Sequence, residues 1–169
     1  MPLSISNVRE LLRRADAERW CAQTIDGSGE PCMWLPVVKY SARFSSTQHA
    51  IGLIDSGEWT SQYADGLRVA PPKNLVGFLP VLELDRPTVL SMIDQGLASQ
   101  GVPSKVLRTF PFDPLLVLAL ESSSHWRQHA EAWVDSGYPP NDRIAELLPR
   151  NSRVREWAES RIDAILRGT

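Results

Sequence analysis

Apolar residues recur at helical spacing over most of the chain. Val8, Leu11, Leu12 and Ala15 fall on one face, Asn7 stands where an N-cap belongs, and Glu10 completes a capping-box pattern. This predicts an N-terminal helix over 7–26, stopped at Gly27. Ser45 or Ser46 caps a second predicted helix from Thr47 to about Asp55, with Gly57 as its C-terminal stop. Asp85 to Gly101 reads as helix with Pro87 near its start. Further on, Asp113 and Pro114 open an apolar helix, and Ser123 or Ser124 caps one ending at Gly137. Asn141 then caps a short helix, and Ser152 caps a last one ended by Gly168. The stretch 58–74, with Gly66, Pro71 and Pro72, reads as loop, and 101–111 as a connector. Two segments stay ambiguous, Trp34-Leu35-Pro36-Val37-Val38 and Phe78-Leu79-Pro80-Val81-Leu82. Periodicity does not separate strand from buried helix in runs this short, and a proline suits either a helix start or a strand edge.

Parts of the pattern repeat. Gln48-His49-Ala50 and Asp55-Ser56-Gly57 recur as Gln128-His129-Ala130 and Asp135-Ser136-Gly137, with a weaker echo at Ile93-Asp94-Gln95-Gly96. The two Leu-Pro-Val segments match each other. Arg127, Ala130, Glu131, Val134 and Asp135 recur as Arg155, Ala158, Glu159, Ile162 and Asp163. Similar amphipathic helices resemble one another by composition alone. The repeated Asp near a helix C-terminus, however, is disfavoured by the macrodipole and is not explained by capping.

These residues resemble the HEAT-type helical repeat family. Leu35-Pro36-Val37 and Leu79-Pro80-Val81 match its first-helix start, and Arg127 to Ala130 and Arg155 to Ala158 its second helix. The resemblance spans 34–167 and implies an all-α fold, an irregular array of antiparallel helix pairs. The units would be about 34–57, 74–101, 113–137 and 141–168, in a single domain 1–169. Unit lengths differ, the 58–74 loop is long, and the first two units lack the early arginine. The residues also admit an α+β fold with short strands at 34–40 and 76–84, since Val-rich runs favour strand.

Composition narrows the function. With 43% apolar and 22% charged residues the chain suits a folded globular protein, and its net charge of −2 argues against nucleic acid as a partner. The N-terminus lacks a signal-peptide pattern, and the longest apolar run, Leu115 to Leu120, is too short to span a bilayer. A cytoplasmic protein with Cys21 and Cys32 reduced, away from membranes, is the expectation.

No catalytic motif stands out. His125 and His129, four apart on a predicted helix, would hold zinc only with a third converging ligand such as His49; the intervening Glu of His-Glu-x-x-His is missing. Cys21 beside Trp20 reads as a buried thiol, and Glu83 with Asp94 as an unspecific acid–base pair. No metal and no cofactor are expected. Among six tryptophans, Trp59 lies with Tyr63 in a polar segment, either as an exposed anchor or folded back onto its own chain. Trp126, His129 and Trp133 form one helical stripe, with the first two at its edge if Trp133 turns inward. The expected partner-binding residues are Glu58, Trp59, Tyr63, Asp65, Trp126 and His129. The expected function is a protein-binding module, an adaptor or an inhibitor- or immunity-type partner of another bacterial protein. The alternative is an enzyme acting on a nucleic-acid base or small molecule in a helical groove.

Overall fold

Much of what reads as helix in the first third of the chain is sheet. In the computed structural model, which describes residues 3–43, 47–70 and 75–148, a short helix α1 (Ile5–Leu12) is followed by five strands. These are β1 (Cys21–Thr24), β2 (Pro31–Ser41), β3 (Gln48–Ile54), β4 (Trp59–Tyr63) and β5 (Gly66–Val69). They pair antiparallel in the order β1-β2-β3-β4-β5. A 3-10 helix Val76–Glu83, the helix α2 (Arg86–Ser99) and a 3-10 helix Ser104–Thr109 complete the first of two compact units, Met1–Pro111.

The all-α, HEAT-like reading is therefore overturned, and the α+β alternative fits. The physical reason lies in the turns. Asp26-Gly27, Asp55-Ser56-Gly57 and Asp65-Gly66 each lie between apolar segments, where such residues close hairpins. β-Branched Val37, Val38, Ile51 and Ile54 then favour the extended chain. Within the alternative, 34–40 lies inside β2, whereas 76–84 is not a strand: Val76–Glu83 is 3-10 helix with Pro80 inside it. The helix read over 7–26 ends at Leu12, and Ser4, not Asn7, caps it by accepting the Asn7 N–H.

Among the described residues the internal repeat has no structural counterpart, and its copy at 155–163 lies outside them. Gln48-His49-Ala50 is strand, and Gln128-His129-Ala130 is helix. What the two copies share is their ending. Gly57 closes a hairpin at φ 98°, and Gly137 ends a helix at φ 102°. A left-handed glycine stops either element, so the motif marks chain reversal and not a repeated unit.

The sheet curls until its ends meet. Asp26 N–H donates to the Leu67 carbonyl at 2.8 Å, and Ile25 bridges Leu67. The curl encloses a small core of Trp34, Ala50, Ile54 and Leu67, joined by Ile25, Cys32 and Val69. On the other face Leu35, Val38, Ile51 and Leu53 are buried. Register slips between Pro36 and Val38, a bulge at Val37 directly after the residue that has no N–H to give. At this bulge α2 docks without an intervening side chain: a Cβ on Gly96 would lie 2.2 Å from the Val37 carbonyl oxygen.

The second unit, Phe112–Thr169, is described to residue 148. Its helices are α3 (Phe112–Glu121), α4 (Ser124–Asp135) and α5 (Asp142–Leu147), close to the elements read from their caps. Asn141 accepts the Ile144 N–H at 2.9 Å, as a cap should. Leu115, Leu116, Ala119, Leu120, Ala130, Trp133, Val134 and Ile144 are buried. The last predicted helix, from Ser152, lies outside the described residues. No helix among the described residues is long and apolar enough to cross a membrane.

Gly96 supplies a test. Alanine at a helix-interior glycine ordinarily stabilises by ~0.5–1 kcal/mol. Here the new methyl would strike backbone, so Gly96→Ala is expected to destabilise by ~1–3 kcal/mol in urea denaturation.

Candidate functional site

The expected binding residues separate into two groups. Trp59 opens β4 but faces inward, 3% exposed. Its indole N–H donates to Thr109 Oγ1 at 3.0 Å, and its ring meets Phe110 edge-on at 5.1 Å. Of the two readings of Trp59, the structure has it folded back, pinning the 3-10 helix Ser104–Thr109 to the sheet. Glu58 is half-buried in the preceding turn and accepts the Ser56 hydroxyl proton. Tyr63 ends β4 half-buried, and Asp65 is exposed in the turn before β5. Trp126 and His129 belong to the second unit, half-buried on α4 with ring centroids 6.3 Å apart, while Trp133 is buried. His125 lies between them, 4.7 Å from the His129 ring.

Cys21, expected to be buried, is exposed on β1, and both thiols are free. Burial, followed by the nearby carboxylates of Asp55 and Glu30, pushes the Cys32 thiol up from its ordinary range.

Two sites in the first unit combine shape with chemistry. The first is a cleft of about 500 Å³ between α1, the segment after it, and β2. Leu12, Trp20 and Met33 form its apolar wall, and Arg9 and Arg13, one helical turn apart, line it together with Asp55. Met33 is 40% exposed; with Ile5 on α1 and Val76 it is one of the few large apolar side chains exposed among the described residues. Neither arginine makes an ion pair among those residues.

The second site is polar. Tyr40 on β2 pairs in register with His49 on β3, and their rings stack at 5.4 Å. Ser61 on β4 stands opposite Ile51, so alternation puts Tyr40, His49, Ser61 and Tyr63 on one sheet face. Tyr40 and Ser61 are 5% and 2% exposed. Tyr40 Oη, His49 Nε2 and Ser61 Oγ are all buried with no hydrogen-bond partner. Gly77 brings its backbone against them: a Cβ there would lie 2.2 Å from Ser61 Oγ and 2.8 Å from Tyr63 Oη. Arg68, opposite Ser61 on β5, lies 3.6 Å above the Tyr63 ring, and its Nε donates to Asp26 at 2.8 Å. A cleft of about 470 Å³ opens beside this cluster, lined among others by Thr47, His49, Gln62, Tyr63, Gly77 and Pro80. Burial above all, then the carboxylate of Glu83 and the hydroxyl of Tyr63, pushes the Tyr40 phenol far above its ordinary range. It stands as a protonated donor at neutral pH.

The sequence reading reached Tyr63, His49 and Glu83 separately and missed Tyr40, Ser61 and Gly77. Only strand register brings these residues together. Comparison with protein families, curated proteins and solved structures finds no match for this chain. Its function is therefore read from its own residues.

Trp59→Ala is expected to lower stability by ~3–5 kcal/mol, the cost of emptying a core aromatic site. Tyr40→Phe and Ser61→Ala should do the opposite. A buried hydroxyl without a partner costs ~1–3 kcal/mol, so each variant should match or exceed the parent in chemical denaturation. Tyr40 also sets an alkaline limit. Its folded pKa is raised, so its contribution is present below the ordinary tyrosine value of about 10 and lost as pH rises beyond it. Stability measured above that pH should fall, and less steeply in Tyr40→Phe.

Proposed function

We propose that this protein is a protein-binding module, an adaptor or an inhibitor- or immunity-type partner of another bacterial protein, working in the cytoplasm. The observation that carries this reading is the cleft beside α1. Exposed Met33 and half-buried Trp20 sit next to two arginines with no carboxylate bound to them among the described residues. Apolar anchors flanked by charge are the usual makeup of a binding hot spot, and arginine is enriched there. The local surplus of Arg9 and Arg13 over Asp55 favours an acidic segment carrying one apolar side chain. Two free thiols suit a reducing compartment. The acidic and aromatic residues expected from sequence enter this reading differently. Trp59 is buried and takes no part in the cleft, and Asp65 is exposed.

The test is capture of partners from the native host with the parent protein, the double variant Arg9→Glu/Arg13→Glu, and Met33→Ser. These side chains are at the surface, so melting temperatures should be unchanged. A partner retained by the parent should be lost from both variants, and its retention should weaken as salt rises. A partner held equally by all three proteins would refute the cleft as its seat.

A further inference from the structure

We propose that the partner segment seated beside α1 is an amphipathic helix, with two apolar side chains seven residues apart and a carboxylate between them. This rests on the cleft beside α1 being a partner's seat. It adds a second seat on the same helix and the order of groups a partner has to present.

The second seat is a hollow of about 180 Å³ where Leu3, Ile5 and Val8 meet Trp59, Ala70 and Pro111. That volume is below the ~300–1,000 Å³ of a small-molecule pocket and near the ~150 Å³ that one benzene ring fills. It suits a single apolar side chain. The polar groups on its wall are engaged within the chain. Thr109 accepts the Trp59 indole N–H and donates to the Val106 carbonyl, and Glu58 accepts the Ser56 hydroxyl proton.

Hollow and cleft flank one turn. Gly57 lines the hollow and Asp55 the cleft. A Cβ on Gly57 would lie 3.0 Å from the Ile5 carbonyl oxygen and 3.3 Å from the Arg9 nitrogen. The turn between β3 and β4 thus meets α1 between the two seats, at a residue with no side chain to stand in a partner's way. Exposed Ile5 stands at one seat and exposed Met33 at the other.

Spacing and charge select the occupant. Ile5 borders the hollow and Leu12 the cleft, seven residues on along α1, or ~10 Å at the helical rise. A partner helix shows same-face side chains at that spacing, at i and i+7, whereas a strand repeats at ~7 or ~13 Å. Arg9 lies between the seats and Arg13 one turn further on, while Glu58 stands at the hollow. A carboxylate at position i+3 or i+4 of the partner therefore meets Arg9, and one carried into the hollow would be repelled by Glu58. Apolar, acidic, apolar is the order in which a helix fits this groove.

The experiment measures fluorescence anisotropy of labelled helical peptides with the parent protein. The matched peptide carries Leu at i and i+7 and Glu at i+3 and i+4 on an alanine–glutamine background. The others move one Leu to i+5, replace one Leu by Ala, or exchange both Glu for Lys. Saturable binding of the matched peptide is expected, weakened at least about tenfold by each change. Ile5→Ser and Met33→Ser should each weaken it likewise, with unchanged circular dichroism, and Arg9→Glu should reverse the preference to the Lys peptide. The proposal is overturned if the matched peptide does not bind, if the shifted peptide binds as well, or if Arg9→Glu keeps the original preference. Self-association of the parent that Ile5→Ser abolishes would give this face to a second copy and overturn it too. A native partner lost from Met33→Ser and Arg9→Glu/Arg13→Glu but kept by Ile5→Ser would leave the cleft standing and remove only the two-seat helix.

Discussion

The bond between the Asp26 N–H and the Leu67 carbonyl holds the two ends of one sheet together, and most of the first unit depends on it. Arg68 reinforces it by donating to the Asp26 side chain. With the ends joined, the sheet is a curled wall and one face turns inward. Trp34 can then be buried at 3% exposure, with its indole lying over the bare backbone of Gly52. The other face turns outward as a continuous apolar surface that has to be covered. The segments after β5 do so, with Phe78 and Phe110 in edge contact at 5.5 Å and α2 seated at the bulge of β2.

Covering that face is also what creates the polar pocket. The β3–β4 pairing ends at Ile51 and Ser61, although β3 begins at Gln48 and β4 runs to Tyr63. The end of the sheet is therefore closed by the 3-10 helix Val76–Glu83 with Gly77 at the contact, and hydroxyls that would meet water in an open sheet are shut in. Each such hydroxyl lowers the stability of the fold.

How much of this was legible in the sequence depends on range. Where structure follows from a few neighbouring residues it could be read: Asp85 before α2, Asn141 before α5, and the helices of the second unit. Sheet pairing joins residues dozens of positions apart, and a glycine stop looks the same after a strand as after a helix. Gly57 and Gly137 made a hairpin and a helix end look like copies of one unit. The Asp-Gly turns at 26–27 and 65–66 carried the contrary signal. Tyr40, His49 and Ser61 are individually unremarkable; they become a site only once β2, β3 and β4 are set in register.

Strand order in this sheet is the same as chain order. Each strand therefore pairs with the one made just before it, and the loops to be closed are short, which keeps the entropy of each step small. On a growing chain, β2 finds β1, then β3 finds β2, with no wait for distant sequence. The exception is the junction of Asp26 with Arg68, across 42 positions. It cannot form until β5 has been made, so curling is the last event in building the sheet, and until then Trp34 has no wall to face.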